Sequence, residues 1–377
     1  MPARLPGQGG TVHFEPTLPG AAVRRTRIPR APARVWAARV GWTVAWLAGL
    51  VAIPELGLRL AKPQRVEPPG VESRLRSLFE PSSDHTLGWE LVADAQVDVE
   101  PTWRISINEA GYRGPLHSRE SFADARRVAV LGDEQAFGQD LPYDESLGGA
   151  LERELRARPG GPWQVLSFAV PGYDTQQEIT HWRRTVAAFR PKLVVLAYAA
   201  NDLVPPRRLA PPDLLDRLVL VRGVRRALDR RDLPSFSAPG PVLEREVTNA
   251  FDAGSPIWRA NRELLIDFAG EVCRADARLV IVALPELFGV TSREQLENQP
   301  YQRYGAALGS LASEGLAVVD PTPALIGAGQ RPTDFWADGQ GRRKNALATS
   351  LIVRNVVESG ALEPRHDFVP CPLRTGE

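Results

Sequence analysis

Two adjacent acids, Asp133 and Glu134, stand where an apolar run of the sequence ends. The run covers residues 128–131 (VAVL), and Gly132 separates it from the acids. An apolar run without alternation predicts a strand covered on both faces, and the glycine predicts a turn. Acids in such a turn lie at the carboxyl edge of a parallel sheet, where open α/β folds bind ligands. Carboxylates there can act as a nucleophile or general base, or can bind a divalent cation.

The remaining sequence predicts the elements that position these acids. Four more apolar runs predict strands, at residues 164–170, 193–198, 279–284 and 316–320. Apolar periodicity predicts helices at residues 146–158, 176–189, 258–273, 301–314 and 343–358. Strands that alternate with helices imply a parallel sheet with helices on both faces. The predicted fold class is α/β, as a flavodoxin-like three-layer α/β/α arrangement whose central parallel five-stranded sheet fits the order 2-1-3-4-5.

Three motifs at predicted strand ends resemble the conserved blocks of the SGNH (GDSL-type) hydrolases. They are VAVLGDEQAFG at 128–138, SFAVPGYDTQQE at 167–178 and VVLAYAANDL at 194–203. In that family the blocks supply a nucleophilic serine and an oxyanion hole, and a late Asp-x-x-His motif completes the triad. The resemblance places Gly172 at the family's oxyanion glycine and Asn201 at its oxyanion asparagine. It implies the SGNH hydrolase fold.

Two stretches upstream resemble the segment that precedes the catalytic domain in membrane-anchored bacterial members of the family. They are DHTLGWELVADAQVDV at 84–99 and ISINEAGYRGP at 105–115. From the residues alone, Asn108 and Gly111 predict a turn between short strands. Anchored members of this type act as esterases or acyl transferases on cell-surface polysaccharides, so the resemblance implies an acylated or carbohydrate ligand.

The sequence departs from the family at the catalytic positions. Glu134 stands at the position of the nucleophilic serine, and the late block TDFWADGQG, residues 333–341, contains no histidine. Alignment of the following helix places Trp336 near the histidine position, with Thr333 or Asp334 near the aspartate. A triad without its nucleophile retains little of its covalent catalysis. We therefore expect serine-esterase activity to be absent.

Three interpretations of Glu134 stay open from the residues. Its carboxylate can face the oxyanion-hole donors and block them, which is the interpretation we favour. It can act as nucleophile or general base with Asp133, Asp202 or Asp334 as partner. It can also join these acids around a divalent cation. The favoured interpretation predicts no cofactor and no metal, and a binding or scaffolding role in a cell-envelope or exopolysaccharide pathway; the alternative is an active esterase or acyltransferase with a non-standard site.

The segment 35–54, VWAARVGWTVAWLAGLVAIP, carries a single charged residue, Arg39. About 20 apolar residues span a bilayer, so the segment predicts a transmembrane helix, with a buried amphipathic helix as the alternative. The arginine-rich residues before it predict a cytoplasmic N-terminus at a bacterial inner membrane, with the main domain outside. The predicted organisation is a disordered tail (1–34), a signal anchor (35–55), a linker and lead-in (56–126), the SGNH-like domain (127–360, insertion about 205–255) and a C-terminal tail (361–377).

The charge pattern and the cysteines limit the classes of partner. The net charge is +1, and arginines alternate with acids along most of the chain, which argues against nucleic-acid binding. Cys273 and Cys371 lack metal-ligand spacing, so they form either one long-range disulfide or two thiols. In the insertion, LLDRLVLVRGVRRALDRR predicts a basic amphipathic helix. That helix can lie on a membrane, cover the site, or present solvated arginines over a packing stripe. No protein partner is predicted.

Overall fold

The computed structural model describes residues 33–60, 71–117, 126–159, 162–205, 218–232, 240–297 and 302–363, together with Pro68, Arg208 and Leu215. The chain divides into two compact units, residues 1–56 and 57–377. Most of the two predicted tails lies outside the described residues, as does Cys371. Cys273 is disulfide-bonded.

The N-terminal helix, α1, covers Ala33–Leu60 and includes Pro54. Its stretch Arg34–Leu58 has a mean hydropathy of 1.4, and 6% of the most apolar part of that stretch is buried. Trp42 and Trp46 are each 72% exposed. Of the helices in the described part of the chain, this is the one whose length and composition fit a membrane span.

Nine strands lie in the described residues, and they form two hairpins and one larger sheet. The hairpins contain β1 (Phe79–Pro81) with β2 (Trp89–Leu91), and β3 (Gln96–Glu100) with β4 (Trp103–Ser106). The sheet contains β5 (Arg126–Gly132), β6 (Trp163–Ser167), β7 (Leu193–Tyr198), β8 (Arg278–Ala283) and β9 (Ala317–Val319). All its neighbours are parallel, in the order β6-β5-β7-β8-β9. Numbered along the chain this is 2-1-3-4-5, so the predicted fold class and strand order are confirmed.

Eleven α-helices lie in the described part of the chain. After α1 they are α2 (Glu134–Phe137), α3 (Leu147–Arg156), α4 (Thr175–Arg184), α5 (Val219–Asp232), α6 (Gly240–Ala250), α7 (Pro256–Arg274), α8 (Arg293–Glu297), α9 (Gln302–Gly309), α10 (Thr322–Gly327) and α11 (Ala346–Glu358). Along β5, Val128 and Val130 enter the core that α3 and α11 cover. Ala129 and Leu131 enter the opposite core, which α4, α7 and α9 cover. The alternation shows why the apolar run lacks a polar face.

Three predicted helices end or begin elsewhere than expected. The helix predicted at 176–189 ends at Arg184 and is followed by a 3-10 turn, and the one predicted at 301–314 likewise changes to a 3-10 turn after Gly309. The last helix begins at Ala346, not at residue 343, because the Asn345 side chain accepts a hydrogen bond from the Ala348 N–H and caps the helix. Residues 343 and 344 therefore belong to the preceding loop.

The lead-in before β5 attaches to the edge of the large sheet. Asn108 and Gly111 close a tight turn, in which the Gly111 N–H donates to the Asn108 carbonyl oxygen at 2.9 Å. Beyond it, the Arg113 N–H donates to the Ser167 carbonyl oxygen at 3.2 Å, an antiparallel bridge onto β6. The bridge covers part of an edge strand that would otherwise expose unpaired backbone groups.

Gly132 ends β5 in a backbone conformation that other residues rarely adopt, with φ of 153°. A Cβ atom there would lie 2.6 Å from the Cβ of Ala136 and 3.0 Å from the carbonyl oxygen of Ala197. Both neighbours are tightly held, one in α2 and the other in β7. The close approach of α2 to the sheet therefore depends on glycine at this position.

We predict that Gly132→Ala lowers the free energy of unfolding by about 2–4 kcal/mol, because strain and overpacking add. The matched control is Gly309→Ala, at a helical backbone position with nothing within 4 Å of the added Cβ. The control should be neutral or stabilising by up to about 1 kcal/mol. Denaturant unfolding followed by tryptophan fluorescence measures both; equal midpoints for the two variants would contradict the packing argument.

Candidate active site at the carboxyl edge of the sheet

Asp133 and Asn201 meet at the carboxyl edge because β5 and β7 are neighbours. Asp133 is fully buried and caps α2, its Oδ1 accepting a hydrogen bond from the Gln135 N–H at 2.8 Å. The Asn201 Nδ2 donates to Asp133 Oδ2 at 3.2 Å. The amide predicted for the oxyanion hole is thus bonded to an acid of the chain itself.

Glu134 is the first residue of α2 and is partly exposed. Its Oε2 accepts a hydrogen bond from the Gly172 N–H at 3.1 Å. Gly172 has a φ of 78°, a conformation that suits glycine in the turn after β6. Burial raises the pKa of Glu134, and hydrogen bonds from the backbone N–H groups of Glu134 and Gly172 oppose the rise. Gly172 is hydrogen-bonded to Glu134, and Asn201 is hydrogen-bonded to the neighbouring Asp133. The structure therefore brings these predicted site residues together.

A second set of hydrogen bonds extends this site toward β8 and the loop before α11. The Glu286 Oε1 accepts from the Gln135 Nε2 and from the Ala200 N–H, each at 3.2 Å. The Lys344 Nζ donates to the Gln135 Oε1. Burial lowers the pKa of Lys344, while the charges of Glu286, Asp133 and Glu134 oppose the change. The arrangement places one ammonium group in a cluster of carboxyl groups.

Sequence reasoning missed Glu286 and Lys344, although each carries a signal. Glu286 follows an apolar run, as Asp133 does, so the rule that identified Asp133 also applies to it. Lys344 is one of three lysines in an arginine-rich chain, with Lys62 and Lys192. In the structure Lys344 is buried, and a lysine is rarely buried unless its ammonium group has a partner, which here is the Gln135 Oε1.

Two more acids are buried beneath the site. The Asp202 Oδ2 accepts from the Ala199 N–H at 2.6 Å, while its Oδ1 has no partner among the described residues. Neither carboxyl oxygen of Glu178, on α4, has a partner there. Burial, with the charges of neighbouring acids, raises the pKa of Asp133, Glu178 and Asp202 well above the ordinary range. The neutral acid is the favoured form of these groups.

The late block is placed differently from the prediction. Asp334 pairs with the exposed Arg331, whose Nη2 lies 2.8 Å from the Asp334 Oδ1, and this pairing lowers the pKa of Asp334. The backbone of Trp336 forms an isolated antiparallel β-bridge with that of Lys344. The indole Nε1 of Trp336 is buried without a hydrogen-bond partner among the described residues. No hydrogen bond between described residues joins Asp334 or Trp336 to Glu134. Because the last helix starts at Ala346, Lys344 lies in the loop between the late block and that helix. From this loop its side chain reaches Gln135.

Two histidines of the main domain, His117 and His181, make their contacts with residues other than Glu134. The Nε2 of His117 lies 3.2 Å from Glu152. His181 packs edge-on against Phe168 and Tyr173, with ring centroids 5.7 and 6.0 Å away. Burial lowers the pKa of His181 to about 4, so its ring is neutral at pH 7. Neither is hydrogen-bonded to Glu134.

The acids do not form a recognisable metal site. Within the described ranges, no group of three or more His, Cys, Asp or Glu side chains has an arrangement that can hold a metal ion. The cation hypothesis for Glu134 therefore has no coordination shell to support it there. The interactions that the structure gives these acids are with backbone N–H groups, amides and Lys344.

Arg113 of the lead-in holds the turn that carries Glu134. Its buried guanidinium donates to the carbonyl oxygens of Phe137, Gly138 at 2.7 Å and Leu141 at 2.5 Å. Burial lowers its pKa to about 10, so the group stays charged at neutral pH. Sequence reasoning placed no chemistry in this segment; its role is to close the loop after α2 from beneath.

The parallel 2-1-3-4-5 sheet, with ligand-binding positions at its carboxyl edge, defines the chain as a three-layer α/β protein of the hydrolase type. Residues 130–347 match the GDSL-like Lipase/Acylhydrolase family, and the chain belongs to that family.

Several solved structures are similar to the main domain. TesA is 15% identical, with 63% of this chain and 99% of that chain covered and a TM-score of 0.38. A catalytic variant of Axe2, an acetylxylan esterase from Geobacillus stearothermophilus, is 14% identical over 64% and 97%, with a TM-score of 0.38. A lipase/acylhydrolase from Enterococcus faecalis is 12% identical over 65% and 100%, with a TM-score of 0.37. No curated protein matches the chain.

We predict that Glu178→Gln stabilises the protein at pH 7.5 by about 1–3 kcal/mol and has little effect at pH 4. The unfolded glutamate ionises above about pH 4.3, whereas the folded group keeps its proton up to its raised pKa. Folding stability from this group is therefore present below pH 4.3 and lost as the pH rises through the folded pKa. Urea unfolding of both proteins at several pH values measures the difference.

The matched control is Glu152→Gln, since Glu152 is equally buried but pairs with Arg156 at 2.8 Å. That variant should be less stable than the wild type at pH 7.5. His181, with its lowered pKa, contributes the opposite slope, because stability from it is lost as the pH falls toward 4. For that reason the comparison is between variant and wild type at each pH. A pH-independent effect of Glu178→Gln would contradict the account of the buried acids.

Proposed function

We propose that this GDSL-like protein is anchored in a membrane, lacks serine-esterase activity, and serves as a binding or scaffolding component of a cell-envelope or exopolysaccharide pathway. The observation that carries the proposal is the 3.1 Å hydrogen bond from the Gly172 N–H to the Glu134 carboxylate. Glu134 occupies the position of the family's serine, so the chain has a carboxylate where the family has a hydroxyl.

The hydrogen bonds around Glu134 occupy the donors that an ester substrate would need during catalysis. Serine esterases stabilise the oxyanion of the tetrahedral intermediate with fixed donors. Here the Gly172 N–H donates to Glu134 and the Asn201 amide donates to Asp133. A carbonyl oxygen entering the site would have to displace the Glu134 carboxylate from one donor and the Asp133 carboxyl group from the other. The negative charge of Glu134 would also repel the oxyanion.

The membrane part of the proposal is supported by the length and exposure of α1. The arginines of residues 1–34, opposed by the single acid Glu15, favour a cytoplasmic N-terminus and an extracytoplasmic main domain at a bacterial inner membrane. The ligand class, an acylated carbohydrate or acyl ester, is supported by the chemistry of the family alone.

A second candidate function is hydrolysis or acyl transfer by a carboxylate, on an acylated surface carbohydrate or lipid. The raised pKa of Glu134 makes its carboxylate a stronger base, which suits a group that accepts a proton during catalysis. Lys344 lies in the same cluster and can neutralise developing negative charge. Perturbed acids and a buried lysine at the carboxyl edge of a sheet are typical of working active sites.

The experiment is ester hydrolysis by the full chain in detergent, across short acyl esters, for the wild type, Glu134→Ser and Glu134→Gln. We predict no hydrolysis by any of the three and no labelling of the wild type by a serine-directed fluorophosphonate. Glu134→Ser restores the hydroxyl but not a base, and without a base a serine attacks too slowly to measure. The control Glu358→Gln removes an exposed carboxylate far along α11.

Two outcomes would contradict the proposal. Wild-type hydrolysis that disappears in Glu134→Gln but persists in Glu358→Gln would establish the carboxylate mechanism instead. Hydrolysis that a fluorophosphonate abolishes by labelling a serine would show a nucleophile elsewhere. The binding role has its own readout, calorimetry with acetylated and deacetylated forms of one oligosaccharide, and equal heats for the two forms would exclude recognition of the acyl group.

A further inference from the structure

The exposed apolar side chains of the main domain concentrate in the insertion between β7 and α7. Among described residues of the unit 57–377, the large apolar side chains that are exposed are Leu116, Leu215, Val224, Leu228 and Leu347, besides Leu58 at the end of α1. Two of these lie on α5 and a third, Leu215, lies just before it. Val224 and Leu215 are each 54% exposed. Exposed apolar side chains that are grouped in one segment of a domain are typical of an interaction surface.

The sequence of α5 makes this patch one face of a basic amphipathic helix. Leu220, Val224 and Leu228 are spaced by four residues, so they share one stripe along the helix. The helix, VLVRGVRRALDRRD, contains five arginines and two aspartates, a net charge of +3. An apolar stripe on an arginine-rich helix is the pattern of helices that lie in the interface of an anionic bilayer.

We propose that α5 binds the surface of an anionic phospholipid bilayer, with Val224 and Leu228 inserted among the acyl chains and its arginines at the headgroups. This inference rests on the membrane anchor proposed above. The positive charge of α5 favours an anionic bilayer as the binding partner, since basic side chains are attracted to a negatively charged membrane surface. Ten residues, 61–70, connect the end of α1 to Val71, and they reach at most about 36 Å.

The proposed membrane anchor lowers the intrinsic affinity that α5 needs in order to bind the bilayer. A domain held within reach of the bilayer meets it at a high effective concentration, so the second contact needs little intrinsic affinity. The insertion is also bonded to the site. The Arg208 Nη1 donates to Asp174 at 2.5 Å, and the Arg208 carbonyl oxygen accepts from the Gln176 Nε2 at 2.9 Å. Both partners follow Gly172 by a few residues, so a residue of the insertion contacts the segment that holds Glu134.

The test uses the full chain in proteoliposomes with a nitroxide at Val224→Cys. The electron paramagnetic resonance measurement compares nitroxide collisions with oxygen, which concentrates in lipid, and with a water-soluble nickel chelate. We predict an oxygen-to-nickel ratio several-fold higher than at Ala312→Cys, an exposed site away from the insertion. The difference should appear in vesicles containing phosphatidylglycerol and shrink in phosphatidylcholine alone. Wild-type chain carried through the same labelling gives the background.

Two additional labels and one variant separate the possible failures. A label at Val44→Cys, within α1, reports whether the anchor spans the bilayer, independently of α5. Charge reversal by Arg225→Glu with Arg226→Glu should lower the ratio at Val224 toward that at Ala312. The proposal is overturned if the anchor label is in lipid while Val224 is as aqueous as Ala312. Protection of Val224 from both reagents, which marks burial against protein or a second copy, overturns it as well, and so does an equal ratio in the two lipids.

Discussion

The hydrogen bond between the Gly172 N–H and the Glu134 carboxylate sets the chemistry of this protein. It exists because β5 and β6 are parallel neighbours, so the turns at their carboxyl ends face each other. Under the proposed function, this backbone N–H corresponds to the donor that the family uses for the oxyanion of the reaction. The Glu134 side chain then occupies the donor before any substrate arrives.

Burial determines the protonation of the acids around this hydrogen bond as much as their hydrogen-bond partners do. Asp133, Glu178 and Asp202 are buried together, and burial with like charges favours their neutral forms. Lys344 and the amides of Gln135 and Asn201 compensate only part of the cluster. Such a site costs folding free energy at neutral pH. Hydrophobic side chains of similar volume would often pack there as stably or more stably.

The sequence predicted the architecture well because burial leaves a periodic record. Unbroken apolar runs located the strands of the sheet and placed Asp133 at a strand end, while the resemblance to the SGNH hydrolases supplied Gly172 and Asn201 as site candidates. Glu286 also follows such a run and was missed, whereas the contacts of Arg113 and Lys344 join segments far apart in the chain and leave no periodic record. The late block shows a different limit. Asn345 caps its helix and shifts the start by three residues, which moves Lys344 into the loop and leaves Asp334 beside Arg331.

The central claim is that the ionised Glu134 occupies the Gly172 donor, and the amide proton of Gly172 reports this directly. We would follow that resonance by transverse-relaxation-optimised NMR of glycine-labelled protein as the pH is raised, in the wild type and in Glu134→Gln. The account predicts a downfield movement in the wild type as Glu134 ionises, with a midpoint above the ordinary pKa of a glutamate, and no such movement in Glu134→Gln. A Gly172 amide proton that behaves identically in the two proteins would contradict it.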